Sequence, residues 1–243
     1  MKVVEVVGLS NSGKTTLIER LIKELIERGI KVGAIKKSFY HDVQYDKEGK
    51  DTFRMECAGA LITGAYSKNS AFLYYNYSEN HLNFIKKFIE MDYLLIEGDM
   101  NLSVPKIYCI GTEPVPEDPL IYALFSINER EEYKNGRIFT LKDISPFVDF
   151  IIEKTPPFLP QLDCNKCGFD CKTLLSRILK GKSSEKDCKV LSGNKCNITI
   201  EGIPIELSPF LDEMLKNVVK GFLSPLKGYR RGKINIEIED YGD

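Results

Sequence analysis

Residues Gly8–Thr15 read Gly-Leu-Ser-Asn-Ser-Gly-Lys-Thr, inside the stretch "VVEVVGLSNSGKTTLIERLIKELIERG" (Val3–Gly29). The apolar run Val3–Val7 before it reads as a buried strand. After it, Leu17, Ile18, Leu21, Ile22, Leu25 and Ile26 recur with a helical period, and Gly29 supplies a C-terminal cap. Gly8 to Thr15 fits G-x-x-x-x-G-K-[ST], set between that strand and that helix. Glycines let the backbone turn its N–H groups inward toward phosphate oxygens, and the helix N-terminus adds its own. The Lys14 ammonium would meet the β- and γ-phosphates, and the Thr15 hydroxyl would ligate Mg²⁺. The expected nucleotide-binding residues are therefore Ser10, Asn11, Ser12, Gly13, Lys14, Thr15 and Thr16.

Working outward, strand-like runs alternate with helical ones over the first two-thirds of the chain. "KVGAIKK", "ALITGAY", "AFLYYNY", "DYLLIEG", "PKIYCIG" and "LIYALFS" read as strands, with helices around 51–58, 80–90 and 143–154. This order predicts an α/β domain built on a largely parallel sheet. "DYLLIEG" ends at Glu97, where a carboxylate would hold a magnesium-bound water, whereas Asp92 falls at the opposite edge of the sheet. No Asn-Lys-x-Asp stretch occurs, so the residues alone leave the base open.

"KTPPFLP" (Lys154–Pro160) ends the last helix and reads as a linker. Beyond it, "LDCNKCGFDCKTLL" places Cys164, Cys167 and Cys171 close together, and Cys188 follows. Four thiolates in this 3+1 arrangement suit a [4Fe–4S] cluster, with zinc as the alternative occupant. Cys57, Cys109 and Cys196 sit in apolar settings and read as small core residues, with Cys196 as an alternative ligand. A third unit follows: a hairpin across Glu201–Gly202, an amphipathic helix over 209–223 whose apolar stripe reads as core, and a final strand "KINIEIE". The expected domains are 1–154, 155–195 and 196–243.

The chain has 243 residues, 43% hydrophobic and 28% charged, with a net charge of −1. That balance excludes a disordered chain and a general nucleic-acid binder. No apolar run reaches the roughly 18–20 residues of a membrane span, and the first strand is interrupted by Glu5, unlike a signal peptide. Seven cysteines without an export signal point to a reducing cytoplasm and to metal or thiol chemistry.

The loop "HDVQYDKEGKDTFRMECAGA" (His41–Ala60) concentrates charge at the sheet edge where ligands bind. Together, "GLSNSGKTTLIERLIKEL", this loop, and "DYLLIEG" followed by "PKI" resemble the molybdopterin-guanine dinucleotide biosynthesis protein B family over roughly residues 1–150. The resemblance implies a P-loop NTPase fold that binds GTP with Mg²⁺, hydrolyses it slowly and forms homodimers. It implies an accessory role to a molybdopterin guanylyltransferase, with molybdopterin or the apo-molybdoenzyme as further partners. His41, Asp42, Asp46, Lys50 and Asp51 would then face the γ-phosphate or the pterin, and Thr15 and Glu97 the magnesium. Gln44 stands where the family has an acid, and Asp99-Met100 where it has Phe-Lys. The cysteine segment resembles the cluster domain of corrinoid iron–sulfur proteins, though its third cysteine comes one residue early. An alternative function is a nucleotide-driven iron–sulfur or metallocentre maturase, or a redox-linked cofactor-insertion protein. A small-molecule kinase is a third, without an evident acceptor segment.

Overall fold

The computed structural model describes residues 1–38, 50–77, 80–128, 138–192, 196, 198–200, 203–205, 207, 209–230 and 234–238. Met1–Leu191 form one compact unit and Ser192–Asp243 a second.

In the first unit, β1 (Lys2–Val7) leads through the glycine loop into α1 (Lys14–Glu27), then β2 (Val32–Lys36). α2 (Asp51–Cys57), β3 (Ile62–Tyr66), β4 (Ala71–Tyr75) and α3 (His81–Lys86) precede β5 (Tyr93–Glu97). The sheet closes with β6 (Lys106–Cys109), β7 (Ile121–Phe125) and β8 (Ile138–Phe139), followed by α4 (Ile144–Lys154). Six strands lie in the order β2-β5-β1-β6-β7-β8, and every pairing is parallel. The chain runs from β1 out to β2, returns to β5 and crosses β1 to reach β6. The reversal of direction beside β1 is the switch point where such sheets open a ligand crevice.

Both faces of the sheet are covered, as parallel strands require. Val4, Val6, Leu95 and Ile107 pack under Leu17, Leu21 and Leu25 of α1 and Phe147, Val148 and Ile151 of α4. Val3, Leu94 and Ile96 face the other way, onto Ile85 of α3 and Met100, Leu102 and Val104 of the loop after β5. α1 ends in a Schellman motif, where Gly29 (φ 76°) lets Ile30 N–H reach Leu25 C=O at 3.1 Å. β3 and β4 do not join the parallel sheet. Their connection is too short for a crossover, so they close on each other as an antiparallel ribbon. It leaves Leu61, Ile62, Tyr66 and Leu73 exposed.

The prolines end α4, but the stretch they occupy is packed rather than solvated. Thr155 is buried against the Tyr122 hydroxyl at 2.9 Å, Leu159 is buried, and Phe158 N–H donates to Met1 C=O. Gln161 then clamps the loop after β5: its Oε1 accepts Ser103 N–H at 2.8 Å, and its Nε2 donates to Ser103 C=O at 2.9 Å. α5 (Cys171–Leu179) follows, with Leu174, Leu175, Cys171 and Cys188 packed on Leu120 and Leu159, and the unit ends within α6 (Lys189–Ser192).

In the second unit, β9 (Ile198–Ile200) and β10 (Ile203–Ile205) pair antiparallel with Ile200 opposite Ile203. The expected turn residues Glu201 and Gly202 lie outside the described residues. α7 (Pro209–Leu223) follows. Two expectations need correcting. Ile234–Ile238 join no strand, since alternation without a partner edge makes no ladder. Phe210, Met214, Val218 and Phe222 of α7 are exposed rather than core.

One buried charge organises the loop after β5. Glu5, fully buried in mid-strand, accepts Met100 N–H on Oε1 at 2.9 Å, while its Oε2 has no hydrogen-bond partner among the described residues. Lys106 Nζ stands 3.8 Å away and pairs also with Asp99 at 2.8 Å and Asp118 at 3.1 Å. Burial pushes the Glu5 carboxyl up from 4.5 to about 7, helped by Asp99 and opposed by Met100 N–H, Lys106 and Lys37. Burial disfavours the Lys106 ammonium, but Asp99 and Asp118 outweigh it and hold its pKa above the ordinary value. Because the folded state takes up the Glu5 proton more readily than the unfolded chain, this group's stabilisation is full below its ordinary pKa of 4.5 and is lost as pH rises through about 7. Glu5→Gln should therefore flatten the fall in stability across that window, as read by urea unfolding. Lys106→Met should cost about 3 kcal/mol above pH 7 and less in acid, where Glu5 can neutralise itself.

Candidate functional site

β1 and β5 are neighbours with Val6 opposite Glu97, so the glycine loop and the end of β5 meet at one edge. Gly8 has φ 143°, and a Cβ there would stand 2.5 Å from the Cys109 carbonyl oxygen. Asn11 (φ 62°) and Gly13 (φ 88°) are left-handed, and Ser12 N–H closes a turn on Leu9 C=O at 3.3 Å. These conformations curl the loop over the sheet edge. Cys109 is buried beneath it, its thiol pushed up to about 12 mainly by burial. It is a packing residue, as expected.

α1 begins without a cap. Gly13 at the N-cap has no side chain to accept its first N–H groups, and no acid occupies the first turn. The positive end of the helix dipole thus faces the loop without a counter-charge from its own first turn. Ser12 Oγ is buried and, among the described residues, without a hydrogen-bond partner. Burying a hydroxyl this way is costly unless a ligand completes it. Lys14 Nζ folds back on the loop, donating to Gly8 C=O at 3.0 Å and Leu9 C=O at 2.5 Å. Thr15 Oγ1 donates to Glu97 Oε2 at 2.8 Å, and Lys36 Nζ sits 3.3 Å from Glu97 Oε1. A nest of backbone donors, a lysine on its rim and a hydroxyl–carboxylate pair suit a phosphate chain with a divalent cation.

Ser10, Asn11, Ser12, Gly13, Lys14, Thr15 and Thr16 lie together on this loop and first turn, with Glu97 opposite Thr15. His41, Asp42 and Asp46, like Gln44, lie outside the described residues. Lys50 is the exposed N-cap of α2, and Asp51 pairs with Arg54 at 3.8 Å on the surface. Sequence reasoning missed Lys36, Lys37 and Lys106. Lys37 Nζ donates to Asp99 C=O at 2.6 Å, so two lysines converge on the loop where Asp99-Met100 departs from the family pattern. The lone charge in "VVEVV" was the available signal, because a carboxylate in a buried strand demands a cationic neighbour.

In the cysteine segment, Asp163 (φ 43°), Asn165 (φ 52°) and Gly168 (φ 83°) turn the chain through left-handed conformations. Asp163 Oδ1 accepts Cys171 N–H at 2.8 Å, and Asp170 caps α5 through Thr173 N–H. Cys167, Cys171 and Cys188 pack into one cluster with Phe169, while Cys164 is exposed. Burial raises the Cys171 thiol above its ordinary pKa. Among the described residues no three Cys, His, Asp or Glu side chains are gathered as a metal-binding group. The donor set, four thiols on one short segment with no disulfide, nonetheless has the chemistry of an iron–sulfur or zinc site. Cys57, expected in the core, is exposed at the end of α2. Cys196 belongs to the second unit, where its N–H donates to Asp212.

A parallel α/β sheet with this loop at its switch point defines a P-loop NTPase fold. A family model for molybdopterin guanine dinucleotide synthesis protein B matches residues 3–124, and one described as "Putative Fe-S cluster" matches residues 159–190. A "Putative molybdopterin-guanine dinucleotide biosynthesis adapter protein" of Methanocaldococcus jannaschii is 30% identical over 250 aligned residues, covering 98% of each chain. The molybdopterin-guanine dinucleotide biosynthesis adapter protein of Haemophilus influenzae is 39% identical over 119 residues, 46% of this chain and 66% of that one. The crystal structure of Bacillus subtilis MobB aligns with a TM-score of 0.52 at 28% identity, over 63% of this chain and 97% of its own. The chain belongs to the molybdopterin guanine dinucleotide synthesis protein B (MobB) family. Among the described residues no helix is long and apolar enough to cross a membrane.

Gly8→Ala should destabilise the fold and weaken any nucleotide binding at the loop, since the added methyl meets backbone rather than a flexible side chain. A thermal melt several degrees below that of the parent protein checks the first effect, and nucleotide titration the second.

Proposed function

We propose that this protein is a cytoplasmic GTP-binding adapter in the making or delivery of the guanine dinucleotide form of the molybdenum or tungsten cofactor. The observation that carries the reading is the uncapped, acid-free start of α1 beside the orphaned Ser12 hydroxyl and the Thr15–Glu97 pair. Loop N–H groups and Lys14 would hold the phosphates, while Thr15 and Glu97 would hold Mg²⁺. The partner would be the guanylyltransferase that joins GMP to molybdopterin, with molybdopterin or the apo-molybdoenzyme as receivers. A homodimer is supported by the apolar ribbon of β3 and β4, whose exposed Tyr66 and Leu73 suit a second copy.

Cys164, Cys167, Cys171 and Cys188 would hold a [4Fe–4S] cluster, which supplies one-electron chemistry or a structural tie; zinc is the alternative. A second reading, a nucleotide-driven metallocentre maturase, draws support from the Gln161 clamp, which ties the approach to Cys164 to the loop leaving Glu97.

Calorimetric titration should show Mg²⁺-dependent binding of GTP, lost in Lys14→Ala, and added protein should raise guanylyltransferase-dependent activation of an apo-molybdoenzyme. Binding without any such stimulation would contradict the adapter reading. Anaerobically purified protein should carry about four irons with matching sulfide per chain, lost in Cys164→Ser. Stoichiometric zinc without a visible absorption band would replace the cluster with a structural metal.

A further inference from the structure

The last residue of β2, Lys36, meets Glu97 from a strand outside the glycine-loop motif. Lys36 stands directly opposite Glu97 in the parallel register of β2 and β5, on the side away from β1. Lys37 N–H donates to Glu97 C=O at 2.9 Å, which fixes that register at the strand ends. The Glu97 carboxylate is thereby shared: Oε2 accepts the Thr15 hydroxyl, and Oε1 faces the Lys36 ammonium at 3.3 Å. Glu97 is mostly covered, whereas the Lys36 side chain is 71% exposed and free to swing on its four-carbon stem.

This arrangement sets up a competition, resting on the reading of the loop as a Mg²⁺–nucleotide site. A divalent cation beside Thr15 and Glu97 would face the Lys36 ammonium across one carboxylate, and the two positive charges repel. The terminal phosphate of a bound triphosphate lies next to that cation and beyond the reach of the loop's own N–H groups. It offers the displaced ammonium a new anionic partner. A diphosphate offers none, so Lys36 stays on Glu97 and opposes the metal.

We propose that Lys36 is the residue by which this site distinguishes a nucleoside triphosphate from a diphosphate, passing from Glu97 to the terminal phosphate when the triphosphate and metal bind. Because an exposed ion pair contributes little to stability and Lys36 fills no core space, its replacement tests ligand binding rather than folding.

The experiment is calorimetric titration of the full chain with Mg²⁺ and either GDP or the non-hydrolysable β,γ-imido analogue of GTP, with circular dichroism as a check on folding. Lys36→Met should weaken the triphosphate analogue by about tenfold or more, the size of one lost charge-assisted hydrogen bond. It should leave GDP within about twofold and lower the Mg²⁺ concentration needed with GDP, and Lys36→Arg should keep most of the discrimination. An unchanged ratio of triphosphate to diphosphate affinity in a folded Lys36→Met protein would overturn the proposal. Equal weakening of both ligands would overturn it too, reducing Lys36 to general attraction. Parent protein that binds neither nucleotide would instead refute the nucleotide site itself.

Discussion

The parallel pairing of β1 with β5 is the constraint on which the rest depends. Val6 lies opposite Glu97, so the strand that launches the glycine loop and the strand that ends in a carboxylate finish at the same edge. Residues 82 positions apart thereby share a 2.8 Å hydrogen bond between Thr15 and Glu97. Without that register the loop would be a glycine turn with a helix behind it. With it, the loop's donors, a hydroxyl and a carboxylate converge at one edge of the sheet.

The same edge is held from below by charge. Glu5 cannot reach water, so it is completed by Met100 N–H and by Lys106, and Lys106 in turn gathers Asp99 and Asp118. Lys172, in α5 next to Cys171, lies 4.0 Å from Asp118. On the other side Gln161 reads both backbone groups of Ser103. The loop after Glu97 is therefore gripped by the sheet and by the approach to the cysteines. The glycine loop and the cysteine segment are built into one body within Met1–Leu191.

Much of this was legible in the sequence, and for identifiable reasons. The glycine loop, its strand and its helix are local, so periodicity and motif located them to within a residue. That Glu97 ends β5 was legible because an apolar run closing on an acid marks a strand end. The ribbon of β3 and β4 was visible as two strands, but its separation from the parallel sheet depends on which edges are already taken, and that is not local. "KINIEIE" alternates like a strand, yet alternation records only a two-sided pattern and not the presence of a partner. Lys36 and Lys37 were invisible as site residues because a lysine gives no sign of which distant carboxylate it will meet, and for Lys106 the lone acid in "VVEVV" was the one hint. Cys57 misled because it sits in an apolar-looking run at the end of a short helix that buries none of its residues.

The claim that matters most is that the loop of Gly8–Thr16 holds a nucleotide's phosphates. A crystal structure with Mg²⁺ and a non-hydrolysable GTP analogue tests it most directly. The account predicts phosphates within the loop, Lys14 lifted off the Gly8 and Leu9 carbonyls, a partner for Ser12 Oγ, and metal beside Thr15 and Glu97. Nucleotide bound elsewhere, with Lys14 still on those carbonyls and Ser12 Oγ still alone, would contradict it.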